Sequence, residues 1–236
     1  MGFLGTAPFG YGDLVTEPFF LRTIQTAYDT VAATYGEASR AGLDDRPLDR
    51  AVLSTFADLV RAEGTGRPIA DLGAGPGHVT AHLNALGLNV FGVDLSPAMV
   101  ALARRTHPRL RFTEGSMTAL DVADGALAGI VAWYSIIHIP TDRLPGLFTE
   151  FHRALEPGGH ILLVFQIGDK PLHLERAFGH DVSLVAHRWP IGRVAALLQQ
   201  AGFTEVARMT REPTGATEKV RRGYLLARAG LRTPGG

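Results

Sequence analysis

Residues 68–80, Pro-Ile-Ala-Asp-Leu-Gly-Ala-Gly-Pro-Gly-His-Val-Thr, constrain this chain more than any other stretch. A short apolar run breaks into glycines at three alternate positions and then resumes with helical spacing. Ile69 to Leu72 reads as a buried strand too short for a helix, while Val79, Leu83 and Leu86 share one face of the helix that follows. Gly73, Gly75 and Gly77 fall in the turn between them, where glycine permits positive φ and lets a ligand approach the backbone without meeting a Cβ. The helix start brings unpaired N–H groups and the positive end of its dipole to the same place. A polar or anionic small molecule is expected at that turn.

The spacing narrows the choice. A dinucleotide site wants G-x-G-x-x-G, and the sixth position counted from Gly73 is His78. A second short apolar strand, residues 89–94, ends on Asp94 before Leu95, Ser96 and Pro97 open another helix, with Ser96 as N-cap and Pro97 at the first helical position. An acidic residue there, about 20 residues past the glycines, is where a Rossmann-like site grips ribose hydroxyls with two acceptor oxygens. Taken singly, a glycine turn can merely join strand to helix, and an aspartate at a strand end can merely cap or face water. In register, the two motifs point to a nucleoside-containing ligand.

At 236 residues the chain suits one well-packed α/β domain. Formal net charge is zero without a run of like charges, so the electrostatic footprint of a nucleic-acid binder is missing. Cysteine is absent, which excludes disulfides and thiolate metal sites. Residues 1–20 have neither the basic start nor the apolar length of an export or membrane segment, so a cytoplasmic protein is expected; this glycine- and aromatic-rich stretch reads as loose, or as a flap that orders on binding.

Asp71 closing a strand ahead of G-x-G-x-G resembles the first motif of the class I S-adenosylmethionine-dependent methyltransferases, and the resemblance extends over residues 25–229. It implies that the glycine loop holds the methionine half of S-adenosyl-L-methionine, with S-adenosyl-L-homocysteine as the product. The helical Tyr28-Asp-Thr-Val-Ala-Ala-Thr-Tyr35 is similar to the family's N-terminal lid segment, which makes Tyr28 and Tyr35 candidates for reaching cofactor or substrate; a half-buried aromatic stripe is the other reading. Glu114-Gly-Ser-Met117 occupies the turn that covers adenine in the family. Serine stands where an acidic side chain is usual, leaving Ser116 and Met117 as the adenine contacts. The segment 127–140 resembles the family's fourth strand and following loop, so Trp133, Tyr134 and Ser135 should touch the methionine end and His138 should sit between cofactor and substrate. Histidine can take a proton near neutral pH, so His138 is the candidate base, set against a core histidine that only packs.

The fold expected is α/β, a Rossmann-like seven-stranded mostly parallel sheet with an antiparallel last strand, helices on both faces and an N-terminal helical lid. Residues 1–65 would form the lid and helices, among them one over Leu48 to Ala62. Residues 66–167 would form the cofactor-binding core, with a strand from His160 at the sheet centre. Residues 168–190 would be a substrate-lid insertion without a clear period, and 191–229 a closing helix and strands. Three histidines in that insertion, His173, His180 and His187, match no short metal motif, and no metal site is expected. The function implied is methyl transfer to an oxygen or nitrogen of a small bacterial metabolite, without nucleic-acid or membrane partners. A cofactor-binding enzyme with other chemistry, such as a cyclase, and an NAD-dependent oxidoreductase are the alternatives.

Overall fold

The computed structural model describes residues 16–214 and 218–230, with side chains from Phe19 onward. Most of the N-terminal segment read above as a flap lies outside the described residues. Two helices precede the first strand: α1 (Thr16–Ala38) and α2 (Pro47–Glu63). Pro47 starts α2, Gly64 ends it with φ of 68°, and its Leu53, Phe56, Ala57 and Val60 are buried.

The core then alternates strand and helix. β1 (Ile69–Leu72) is followed by α3 (His78–Ala85), β2 (Val90–Asp94) by α4 (Pro97–Thr106), and then come β3 (Arg111–Glu114) and β4 (Leu127–Trp133). Ser96 caps α4 as its sequence predicts, its Oγ accepting from the Met99 amide at 3.1 Å. After a 3-10 turn at Ile136–His138 and α5 (Leu144–Ala154), β5 (Leu155–Gln166) starts earlier than the expected His160, because the Pro-Gly-Gly run continues the strand after ending the helix. The insertion forms a hairpin, β6 (Leu172–Ala177) and β7 (His180–Ala186), in a separate two-stranded sheet. α6 (Ile191–Gln200), β8 (Phe203–Arg211) and β9 (Arg222–Ala229) follow.

The main sheet runs β3-β2-β1-β4-β5-β9-β8. β1 pairs in parallel with both β2 and β4, and only β9 runs against its neighbours, lying between β5 and β8. The seven-stranded Rossmann-like sheet with an antiparallel last strand is therefore present. Its central strand is β4, one place from the expected β5. β5 alternates between two cores: Ile161, Leu163 and Phe165 pack with Phe148, Phe151, Val194 and Leu198, whereas Leu162 and Val164 pack with Leu53, Phe56 and Leu83. Helices thus cover both faces. The chain order reverses between β1 and β4, and a sheet of this kind opens its ligand crevice at such a switch point, beyond the carboxyl ends of the strands.

Candidate functional site

The crevice is built at that switch point. Leaving β1, the backbone takes φ of 72° at Gly73, 51° at Gly75 and 88° at Gly77, and these glycines have different neighbours. A Cβ on Gly73 would lie 2.4 Å from Ser135 Cβ, so this position lets the β1 and β4 loops approach each other. A Cβ on Gly75 would meet nothing within 4 Å, since it would project into the cavity. A Cβ on Gly77 would strike Phe112; this glycine caps α3 and does not line the cavity with the other two.

Asp94 closes the turn. Its Oδ2 accepts from the Gly75 amide at 2.7 Å and its Oδ1 from the Ser96 amide at 2.9 Å. Burial pushes its carboxyl upward, and the amides of Ser96, Gly75 and Leu95 oppose that shift. Asp71 lies deeper, 1% exposed, where the Thr80 hydroxyl donates to Oδ2 at 2.6 Å and Oδ1 has no hydrogen-bond partner. Desolvation raises its pKa to about 7 despite the Thr80 hydrogen bonds.

The lid comes from α1. Asp29 accepts from the Ser96 hydroxyl and from the Ala98 amide at 3.1 Å, placing a carboxylate at the α4 N-terminus, while Val31 and Ala32 pack on Met99. So anchored, α1 presents Tyr28 and Tyr35 to the cavity with their ring centroids 6.4 Å apart. Tyr35 also meets Phe178 at the hairpin tip, centroids 4.8 Å apart. Opposite, Tyr134 leaves β4 with φ of 54°, a strained conformation for a residue with a bulky side chain. Trp133 and Tyr134 form that wall, and Leu95, Ser116 and Met117 form another. The Ser116 hydroxyl is paired locally with Thr118 at 2.7 Å.

His138 reaches the cavity from the 3-10 turn after β4. Its Nδ1 lies 3.0 Å from the Val185 carbonyl of β7 and its Nε2 lies 2.6 Å from Tyr28 Oη. A carbonyl only accepts, so Nδ1 carries the proton, and in the neutral ring Nε2 accepts from the tyrosine hydroxyl. Burial lowers the pKa of His138, the Val185 carbonyl opposes this, and nearby His187 adds to the lowering.

The space divides into two lobes that share Tyr35, Gly73, Gly75, Trp133 and Tyr134. The main lobe holds Tyr28, Asp94, Leu95, Ser116, Met117 and His138. The second lobe reaches Asp71, Ser39, His78 and Arg46. Sequence reasoning had missed Leu21, Ile24 and Arg46. Leu21, Ile24 and Tyr28 recur at three- and four-residue steps, a helical-face signal, whereas nothing local marks Arg46. Asp71 Oδ1 and Ser135 Oγ, both buried without partners, are acceptors left for a ligand that donates hydrogen bonds, and the open face at Gly75 leaves room for it. Among the described residues, no three His, Cys, Asp or Glu side chains are placed to hold a metal ion, and no helix is long and apolar enough to cross a membrane.

Known proteins resemble this chain in both sequence and fold. Residues 69–159 match the family described as "Methyltransferase domain". The chain is 33% identical over 142 residues to demethylmenaquinone methyltransferase of Chlorobaculum parvum, covering 58% of this chain and 57% of that protein. It is 32% identical over 142 residues to malonyl-[acyl-carrier protein] O-methyltransferase of Pectobacterium atrosepticum, covering 56% and 51%. The chain thus spans about half the length of these curated relatives. Among solved structures, Burkholderia thailandensis 1,6-didemethyltoxoflavin-N1-methyltransferase, crystallised with 1,6-didemethyltoxoflavin and S-adenosylhomocysteine, matches 96% of this chain and 94% of that one with a TM-score of 0.69 at 20% identity. Residues 69–159 thus carry a match to a methyltransferase domain, and the chain shares its fold with that methyltransferase structure.

Proposed function

We propose that this chain transfers the methyl group of S-adenosylmethionine to an oxygen or nitrogen of a small molecule. The observation that carries the reading is one cleft that joins an open glycine turn, Asp94 and Met117 on one side to Tyr28 and His138 on the other. Asp94 would hold the ribose hydroxyls, Ser116 and Met117 the adenine, and Asp71 with Gly73 and Gly75 the amino-acid end, where an ammonium would meet the unpartnered Asp71 oxygen. Gly77 would support the loop from behind through α3.

Bound there, the cofactor supplies an already electrophilic methyl group. The protein's part is alignment and exclusion of water, together with a place for the acceptor's proton. α1 and the hairpin cover the cleft, and the Tyr28–His138 pair offers Nε2 as the proton site. The relatives named above, whose printed names give small-molecule or carrier-protein acceptors, and the zero formal charge support an acceptor other than nucleic acid.

Calorimetric titration with S-adenosylhomocysteine, followed by labelled methyl transfer to a panel of phenols, acids and amines, tests the reading. Micromolar binding that Asp94→Ala weakens, with label on one of these acceptors, is expected. A folded protein that binds NAD and ignores S-adenosylhomocysteine would overturn it, and methylation of RNA alone would overturn the acceptor class.

A further inference from the structure

The acceptor end of the cleft has a narrower chemistry than a general small-molecule site. Leu21, Ile24 and Ile139 line it with apolar surface, Met117 borders it, and Tyr28 and His138 supply its polar edge. Among the described residues, Asp94 is the only carboxylate and there is no lysine or arginine on the main lobe; both Asp94 oxygens already accept backbone amides. A carboxylate or phosphate placed here would leave water for a wall without a cationic side chain of lysine or arginine, and an aliphatic ammonium would meet only a carboxylate whose oxygens are already engaged, a large cost in a low-dielectric site.

The polar edge is also arranged in sequence. Both ring nitrogens of His138 are engaged by the protein, Nδ1 by the Val185 carbonyl and Nε2 by Tyr28 Oη at 2.6 Å. An acceptor cannot reach Nε2 without displacing Tyr28. The tyrosine oxygen, having given its proton to that bond, keeps lone pairs to accept another.

We propose that the acceptor is an uncharged, largely apolar molecule bearing a hydroxyl, and that this hydroxyl donates to Tyr28 Oη, with His138 standing behind Tyr28 as the proton's destination. The inference rests on the methyl-transfer reading above. In the transfer the acceptor O–H bond breaks and its proton joins Tyr28 Oη, while the proton already on Tyr28 moves to His138 Nε2. The freed pair on the acceptor oxygen forms the bond to the methyl carbon, and the carbon–sulfur bond breaks with its pair staying on sulfur. Tyr28 ends neutral, as its burial requires, since desolvation pushes the phenol far above its ordinary value of 10.0. Tyr28 is then the residue that touches substrate.

Three naphthalenes with one body and different charge test this on the full chain: 2-naphthol, 2-naphthoate and 2-naphthylmethylammonium, by equilibrium dialysis at pH 7.5 with and without S-adenosylhomocysteine. Calorimetry of S-adenosylhomocysteine runs in parallel. Naphthol should bind at least tenfold more tightly than either ion, and Tyr28→Phe should weaken naphthol about five- to tenfold while leaving S-adenosylhomocysteine affinity unchanged, as loss of one hydrogen bond does. In labelled transfer to 2-naphthol, both Tyr28→Phe and His138→Gln should lower the rate, whereas His138→Gln should weaken naphthol binding less than Tyr28→Phe does. Equal or tighter binding of either ion, or unchanged naphthol binding by Tyr28→Phe, overturns the proposal. Normal S-adenosylhomocysteine binding with no naphthol binding sinks the acceptor proposal alone, whereas loss of both on a folded protein sinks the methyl-transfer reading with it.

Discussion

The Thr80 hydroxyl donates to Asp71 Oδ2 at 2.6 Å, and the other oxygen of that buried carboxylate has no partner. The pair joins the end of β1 to α3 directly beneath the glycine turn, and burial, opposed by the Thr80 hydrogen bond, raises the Asp71 pKa to about 7.

Cofactor binding should therefore release a proton. Asp71 titrates near 3.8 when unfolded and at about 7 when folded, so its protonated form adds stability below pH 3.8 that is lost as pH rises through 7. An ammonium beside the free oxygen reverses the preference and expels the proton. Calorimetry with S-adenosylhomocysteine at pH 6, in buffers of different ionisation heat, should show release approaching one proton, and Asp71→Asn should abolish it. Identical heats in all buffers would detach Asp71 from the amino-acid end.

Gly75→Ala separates folding from binding. Open space at its Cβ means no clash, so the cost is the left-handed φ of 51°, about 1–2 kcal/mol. Thermal melts should show a folded protein that melts modestly lower, while S-adenosylhomocysteine affinity falls at least tenfold because the methyl occupies the ligand's path. Gly73→Ala, whose Cβ would press on Ser135, should lose several degrees more.

The rate of methyl transfer should fall on the acid side. His138 accepts a proton only when neutral, and burial with nearby His187 holds its pKa below the ordinary 6.5. The groups facing it are Tyr28 from α1, the Val185 carbonyl from β7 and His187 beyond it. Rate against pH should hold level down to 6.5 and decline below it, and His138→Gln should remove that decline along with most of the rate. A limb that persists in the variant would assign it to another group.

Tyr224→Phe tests a polar knot behind the site. Tyr224 donates to Asp49 at 2.6 Å and accepts from Arg211 Nε at 3.1 Å, with Asp49 2% exposed. Deleting the hydroxyl leaves a buried carboxylate short of a donor, a loss of about 1–3 kcal/mol. The urea midpoint should drop accordingly.

The glycine turn, the short strands around it and the capped start of α4 were legible because each is written in adjacent residues. Apolar runs bounded by glycine, or a serine ahead of proline, need no distant partner to be read. The hairpin was missed although Val182, Leu184 and Ala186 alternate inward along β7, because the histidines drew the eye to their sevenfold spacing. The early start of β5 depended on pairing Leu155 with Leu127, which the Pro-Gly-Gly run conceals. Tyr28 and His138 were each picked out, but their hydrogen bond joins positions 110 residues apart. No local period carries that information, nor the docking of Asp29 on α4.

The place of β9 between β5 and β8 sets an order of assembly. β8 is made before β9 yet pairs with no other strand, and the edge of β5 that β9 covers carries Ile161, Leu162, Leu163, Val164 and Phe165 in succession. Until residues 222–229 arrive, a nascent chain therefore presents a bare, strongly apolar ladder of the kind that recruits other chains. A ribosome stalled ahead of Arg222 would hold the cofactor half complete and the sheet sticky, so β9 acts as a seal on an adhesive edge as much as a support for the site.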